Sequence, residues 1–479
     1  MPTWNFTSNI LGSSPGDERA LVALTRSGSR SEWTFAEVKE VSSRFAAALR
    51  QLGTEKGDVV LTLMGNSAEW VFTLTACWQI GAVAMPCNVQ LTPHDLAMRI
   101  EQIRPKIAIV ATEYAPVLAE AGFDGVVVEA SDDRLGSGKP AADEPLDLLD
   151  PALVIFTSGT AGEAKPVRHG QRYLANQHIQ AEHWFGARPG DLCWCTAASG
   201  WSKSSRNSFV AAWVRGAAAL VHDGRFDPEE RLDIVDREGV NVLCMAPTEY
   251  RAIAKRTELR PLPSLRHAVA AGEPLNAEIV ELWRERAGVS IHDGYGQTET
   301  GALTGMPIGE PVRPGSMGKA LPGFAMWIEN GELVLDPSTI PTITIDAPPG
   351  TWHTGDRVRQ DDDGYLWFEG RADDVIISAG YRIGPFEVES ALVAHDAVAE
   401  AAAVAAPDEV RGAVVKAVVV LRPGYEPSDA LAGELQEHVK AETAPYKYPR
   451  IVEFADSLPK TASGKIKRAE LRERALAAG

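Results

Sequence analysis

Apolar positions recur at helical spacing behind Thr34. Phe35, Val38, Val41, Phe45, Leu49 and Leu52 fall on one face, and Thr34 with Glu37 forms a capping box at the start of that helix. The run Val59 to Met64 reads as a buried strand, Asn66 with Glu69 opens a second helix, and Thr92, Pro93 and Asp95 supply the cap, first-turn proline and first-turn acid of a third. The alternation continues from Asp150 to Ile291, where the runs Leu153 to Phe156 and Asn241 to Ala246 lead into polar loops. Repeated strand and helix alternation predicts an α/β fold of layered helices and largely parallel sheets. In such sheets ligands gather where strands end. Gly136 to Pro145 reads as a flexible surface loop. The texture changes at Gly370, where Gly370, Arg371, Ala372, Asp373 and Asp374 form a polar joint before a compact tail with the size of a small α+β domain. The expected division is therefore 1–372 and 373–479.

Composition narrows the function classes. The chain has 479 residues and a formal charge of -18, which argues against holding nucleic acid or an anionic membrane by charge alone. Any phosphate needs a local basic site. Cys77, Cys87, Cys193, Cys195 and Cys244 form no CxxC pair and sit near no histidine cluster, which argues against a disulfide framework or structural zinc. The N-terminus lacks the basic opening and apolar core of a secretion signal, and no apolar stretch approaches the ~18 residues of a spanning helix. A cytoplasmic, reducing setting is expected.

Four loops carry candidate chemistry. In VIFTSGTAGEAKPV, Val154 to Val167, a buried strand runs into glycines and hydroxyls and then Lys165, the ingredients for cradling a triphosphate. A Walker loop is excluded, because Ala164 and Pro166 flank the lysine. The second loop, HDGYGQTETG from His292 to Gly301, begins where a short strand ends at Ile291. Its Tyr295 offers a flat face for a base, and Thr298 and Glu299 offer oxygens suited to a hard cation. In the third, Asp356 behind a Thr-Gly turn can accept from two ribose hydroxyls and Arg371 can bind the same sugar or a phosphate, while Asp361 to Asp363 before Gly364 reads as a solvated hairpin turn. In the fourth, Ser463 and Gly464 form a turn presenting Lys465 among Lys460, Lys467 and Arg468.

Taken in order, TSGTAGEAK, DGYGQTETG, TGD, GRADD, SAGYRIGPFEVE and PKTASGK resemble the acyl-activating, adenylate-forming superfamily from one end of the chain to the other. The wording of DGYGQTE, GYRIGPFEVE and APYKYPR is similar to the medium-chain acyl-CoA synthetases in particular. The resemblance implies a large N-terminal domain and a small mobile C-terminal domain hinged near Asp373. It also implies two half-reactions. A carboxylate attacks the ATP α-phosphate to give acyl-AMP and pyrophosphate, and a thiol, CoA or a phosphopantetheine arm, then takes the acyl group. On the same basis Thr157, Ser158, Gly159, Thr160, Ala161, Gly162, Glu163, Ala164 and Lys165 cradle the β and γ phosphates. Gly272, Glu273 and Pro274 frame the adenine with Asp293, Gly294 and Tyr295, and Gly296, Gln297 and Thr298 complete the ATP site. Asp356 and Arg371 take the ribose, Thr157 and Glu299 help to hold Mg2+, and Lys465 contacts the carboxylate and α-phosphate. Ala379, Gly380 and Tyr381 line the thiol route with Arg411 and Lys440, while Trp201, Gly272, Thr298 and Arg382 border the acyl group. Gly380 has no side chain to obstruct a slender thiol arm.

Two departures from the family pattern stand in the phosphate loop. Ala161 replaces the usual Thr and Ala164 the usual Pro. A hydroxyl bonded to a charged phosphate is worth ~1.5 to 3 kcal/mol. Ala161→Thr is therefore expected to tighten ATP binding or speed adenylation; unchanged ATP affinity and adenylation rate would refute this. The expected partners are a small carboxylic acid, ATP, Mg2+ and CoA, with a carrier protein as the alternative thiol donor, in a monomer or homodimer. Medium-chain aliphatic, aryl and specialised-metabolite acids all remain open. The rival classes are an enzyme that loads a carrier or stops at the adenylate, and a non-catalytic binding homologue, which the presence of Glu299, Asp356, Arg371 and Lys465 disfavours.

Overall fold

A computed structural model describes residues 3–158, 164–371, 374–378, 381–408, 411–460 and 466–477. Among these residues two large sheets form the larger domain. The seven-stranded sheet runs, edge to edge, Ile291–Gly294, His267–Ala271, Val242–Met245, Leu192–Cys195, Ala218–His222, Arg19–Leu24 and Arg30–Thr34. Its pairs are parallel except the last, where Arg30–Thr34 folds back antiparallel as an edge. The six-stranded sheet runs Val126–Glu129, Ile107–Val110, Val59–Leu63, Val83–Cys87, Pro151–Ser158 and Ala164–Gly170, again parallel but for its final hairpin.

The helix Ala68–Ile80 explains how the two sheets make one core. It is buried at nearly every position except Glu69, and Trp70, Val71, Leu74 and Trp78 join a cluster that takes Ala20 and Leu21 from one sheet and Val60, Ala84 and Leu153 from the other. A helix apolar all round belongs between layers. By contrast Phe35–Gln51 is amphipathic: Phe35, Val38, Phe45 and Leu49 are buried, Val41 half-buried, and the Thr34/Glu37 capping box closes its start. The third cap also forms, with Thr92 and Asp95 reciprocally bonded ahead of Pro93–Ile103.

Three local expectations are corrected. The cap of Ala68–Ile80 is Ser67, which accepts from Trp70 N, because Asn66 spends its amide on the Ala197 carbonyl across the sheet boundary. Gly136 to Pro145 is not a free loop. Its start belongs to the short helix Asp133–Ser137, and Ala141 is pinned between Ser43 O and the Gln79 amide, which also reaches Asp143. The strand expected to stop at Ile291 continues to Gly294, so His292 and Asp293 are sheet residues paired with Val269 and Ala270.

A four-stranded antiparallel sheet, Met326–Glu329, Glu332–Leu335, Trp352–Gln360 and Leu366–Arg371, follows. Its last hairpin is the acidic turn, where Arg313 pairs with Asp361 and Asp363. The smaller domain packs the helices Pro385–Ala394, Asp429–Glu442 and Arg468–Ala477 on the sheet Val398–Asp408, Gly412–Leu421, Ile451–Phe454, with cores of its own. All five cysteines are buried and unpaired, and no helix among the described residues is long and apolar enough to cross a membrane.

The two domains touch where Lys255 Nζ donates to Val398 O at 3.4 Å and Asn276 Nδ2 to Ser390 Oγ at 3.2 Å. Burial, with a contribution from the Arg422 charge, lowers the Lys255 ammonium to about 8 from its ordinary 10.5. The unfolded chain therefore holds a proton at this position that the folded one has lost between those values, and stability rises with pH across that window. Lys255→Met is expected to flatten this rise and to raise the midpoint of denaturant unfolding at neutral pH. A steeper or unchanged alkaline rise would contradict the assignment.

Candidate active site

The site residues are brought to the ends of strands by the fold. Gly272 follows the strand His267–Ala271 with a φ of +107°, a left-handed conformation that side chains rarely adopt. Next to it Glu273 accepts from the Thr248 backbone N–H and hydroxyl and from Arg251 Nη2 at 3.0 Å, while Arg251 Nη1 also reaches Pro274 O at 3.3 Å. Burial alone would raise the Glu273 carboxyl, but the Arg251 charge and the Thr248 hydrogen bonds outweigh it and hold it below its ordinary value. Asp293, one strand over, goes the other way. Burial pushes its carboxyl well above the usual range, against the pull of the Gly294 and Leu275 N–H groups and the Lys203 charge.

Beyond Gly294 the chain folds into a two-residue ladder, Gly296–Gln297 against Gly301–Ala302, that fixes the loop between them. A Cβ on Gly296 would lie 1.9 Å from the Gly301 carbonyl oxygen, so only glycine fits. From this loop Tyr295 Oη donates to Asp356 Oδ2 at 2.5 Å and Gln297 Nε2 donates to the same oxygen at 2.9 Å. Arg371, paired opposite Asp356 on the neighbouring strand, brings Nε to 3.5 Å from Oδ1. Burial and the Asp356 carboxylate together keep Tyr295 protonated. The second and third sequence motifs therefore meet in one hydrogen-bonded unit, with Asp356 buried at its centre.

The strand Ala164–Gly170 links this unit to the first motif. At one end Lys165 pairs with Thr157, and at the other His169 Nε2 donates to Thr298 O at 2.8 Å while Arg168 O accepts from Thr344, which in turn donates its N–H to Glu299 O. Burial lowers the His169 imidazole to about 3, so it stays neutral as a positioning group. The carboxylate of Glu299 and the hydroxyl of Thr157 make no side-chain hydrogen bond or ion pair among the described residues.

Other sequence candidates are placed singly. Trp201 is half-buried at the start of the helix Ser202–Ser205. Tyr381 is exposed and stacks on Tyr446 with ring centroids 4.4 Å apart. Lys440 is engaged locally, by Glu437 at 2.5 Å and over the Tyr448 ring at 4.2 Å. Arg411 N caps the turn on Asp408. Ser158 and Arg382 lie in strands, in pairs with Ala164 and Ile377. Gly159, Thr160, Ala161, Gly162, Glu163, Asp373, Ala379, Gly380 and Lys465 lie outside the described residues. On either side of that last gap Lys460 and Ile466 pair antiparallel, and Arg468, bonded to Glu389 at 2.6 Å, lies within the electrostatic reach of Glu273.

Sequence reasoning missed Thr248, Arg251, His169, Lys203 and Arg206. Lys203 is 7% exposed and donates to Ala271 O at 2.8 Å, and Arg206 is 4% exposed. The last two were legible as a signal. Two bases three positions apart in SKSSRNS, directly after Trp201, share one helical face.

Two layered, mainly parallel sheets, a small second domain, and a strand-end site joining an aromatic, an amide and a buried carboxylate define the architecture of adenylate-forming enzymes. The chain belongs to this superfamily: residues 11–338 match the AMP-binding enzyme family and residues 387–465 the AMP-binding enzyme C-terminal domain. It is 40% identical to an uncharacterized acyl-CoA ligase, YtcI, of Bacillus subtilis (strain 168), over 96% of this chain and 94% of that protein. It is 36% identical to the mitochondrial acyl-coenzyme A synthetase ACSM4 of Mus musculus, over 98% of this chain and 90% of that one. Among solved structures, the anthranilate CoA ligase AuaEII in complex with anthranoyl-AMP superposes with a TM-score of 0.91 at 28% identity, covering 100% of this chain and 98% of that one.

Proposed function

We propose that the chain is an AMP-forming carboxylic acid–CoA ligase, which converts an acid and ATP to acyl-AMP and pyrophosphate and then passes the acyl group to CoA. The observation that carries this reading is the buried Asp356 held by Tyr295 and Gln297, which joins two of the sequence motifs in one hydrogen-bonded unit in a chain that both family domains match. Acyl-CoA ligases and synthetases among its relatives support the choice of CoA as acceptor.

In this reading Asp356 accepts from the ribose hydroxyls, and Arg371 neutralises its charge. Tyr295 and the backbone of Gly272 to Pro274 frame the adenine. Lys165 and the hydroxyls of the phosphate loop draw the β and γ phosphates away from the incoming carboxylate. Thr157 and Glu299 supply two hard oxygens that fit Mg2+, which would spread the developing phosphate charge. Among the described residues no cluster of three His, Cys, Asp or Glu side chains forms a cation cage. Lys465 holds the carboxylate against the α-phosphate, where repulsion between two anions otherwise sets the barrier. A boundary at 372/373 with a hinge at Asp373 lets the smaller domain withdraw that lysine and present Gly380 and Tyr381 to the thiol. Arg411 and Lys440 lie on the CoA side, and Trp201 and Arg382 on the acyl side. The five reduced cysteines support a cytoplasmic site of action, with acyl metabolism as its setting.

The test is an acid panel with ATP and Mg2+, measuring pyrophosphate with and without CoA and the thioester by mass. Acid-dependent pyrophosphate with acyl-CoA is expected. Adenylate that never becomes acyl-CoA would shift the acceptor to a carrier protein, and no acid-dependent pyrophosphate at all would leave only binding.

A further inference from the structure

We infer that Arg206, assisted by Lys203, forms a cationic subsite at the acyl end of the pocket, and that the acid this enzyme activates carries a second carboxylate. The inference rests on the ligase reading above and names its substrate class: a dicarboxylic acid, converted to its mono-thioester.

Arg206 is 4% exposed, yet its Nε and Nη1 have no hydrogen-bond partner, and no carboxylate stands within ion-pair distance of it among the described residues. Buried charges in folded proteins are paired, and buried donors are bonded. The hydroxyls of Ser204, Ser205 and Ser208 are likewise buried and without a hydrogen-bond partner among the described residues. A neutral group near Arg206 is the Tyr173 hydroxyl, which the guanidinium approaches closely enough to interact with but which carries no counter-charge. Ordered water satisfies hydroxyls well. It does not neutralise a guanidinium, so the charge itself implies an anionic occupant.

Position says which part of the substrate this occupant is. Arg206 Nη1 stands 3.4 Å from where a Cβ on Gly301 would lie, two residues beyond Glu299. Lys203 Nζ stands 3.9 Å from the corresponding point on Gly272, and it spends on Ala271 O only one of its three donors. Both cations thus come from one helical turn after Trp201 and reach the two loops that flank the proposed acyl group. The ribose partners, Asp356 and Arg371, come from a different sheet. An aliphatic tail seated here would strip water from the guanidinium and offer nothing in return, whereas a carboxylate pairs with it through the planar fork. Sites built to bond a polar group reject the analogue that lacks it far more strongly than apolar pockets reject an extra atom.

The experiment compares matched acids on the full-length enzyme with ATP, Mg2+ and CoA: butanoate with succinate, hexanoate with adipate, and 3-methylbenzoate with isophthalate. In at least one pair the diacid is expected to exceed the monoacid in kcat/KM by about tenfold or more, the equivalent of ~1.4 kcal/mol. Arg206→Met is expected to erase that advantage while leaving the KM for ATP within about twofold and the thermal midpoint no lower than that of the unchanged protein, because the buried unpaired charge is gone. Monoacids preferred in every pair would overturn the inference without touching the ligase reading. So would a variant that loses mono- and diacid alike with a raised KM for ATP, which would place Arg206 on the phosphates, or one with a lowered midpoint and unchanged selectivity. No pyrophosphate with any acid would instead defeat the ligase reading, and this inference with it.

Discussion

Lys465→Ala is expected to cut acid-dependent pyrophosphate release by about two to three orders of magnitude, the usual loss when one positioned charge is taken from a transition state, while thioester formation from supplied acyl-AMP continues. The asymmetry follows from electrostatics. In the first half-reaction a carboxylate approaches a polyanion, and in the proposed reading the Lys465 ammonium makes the two compatible. In the second, a thiol attacks an activated carbonyl and that repulsion is absent. Gly380→Leu is expected to invert the pattern if Gly380 lines the thiol route as proposed, because a leucine there would then obstruct the thiol and not the nucleotide. Stopped-flow pyrophosphate detection and mass detection of the thioester separate the two halves. Equal loss of both steps in Lys465→Ala would remove the lysine from its proposed role and the proposed domain movement with it.

The second large effect is placed at Asp356. Its carboxylate accepts from Tyr295 and Gln297 and faces Arg371, so Asp356→Ala removes the acceptor of two donors at a buried point and, in the proposed reading, the ribose acceptor as well. Hydrogen bonds to a charged group are worth about 1.5 to 3 kcal/mol each, so kcat/KM for ATP is expected to fall by roughly a hundredfold or more. Stability falls with it, seen as a lowered denaturant midpoint. Asp356→Asn keeps the shape and one acceptor oxygen; it should recover most of the stability and little of the ATP affinity. A variant in which ATP kinetics are untouched and only stability changes would make Asp356 a scaffold residue.

Local physical chemistry was the part of this chain open to reading from residues alone. The caps at Thr34 and Thr92, the buried strand from Val59, and the acidic turn before Gly364 depend on contacts within a few positions, and they stand as expected. Where the decision lay across the sheet, reading by neighbourhood failed. Asn66 has the side chain of a cap, but a carbonyl more than a hundred residues away claims its amide, and Ser67 takes the role. Gly136 to Pro145 has the composition of a free loop and is instead fastened to Ser43 and Gln79.

The same division governs the site. The amino-acid order alone determined the succession of glycine-rich, aromatic-acidic and lysine-bearing loops, since each needs particular residue types at short spacing to hold a phosphate, a base or a sugar. Tertiary structure alone decided that Asp356 shares an oxygen with Tyr295 and Gln297, that Arg251 fixes Glu273, and that Arg206 is buried without a counter-charge among the described residues. These depend on which strand ends the sheets bring together. Burial is a property of the packed whole, and it is burial that turns an ordinary surface arginine into one that needs an anion.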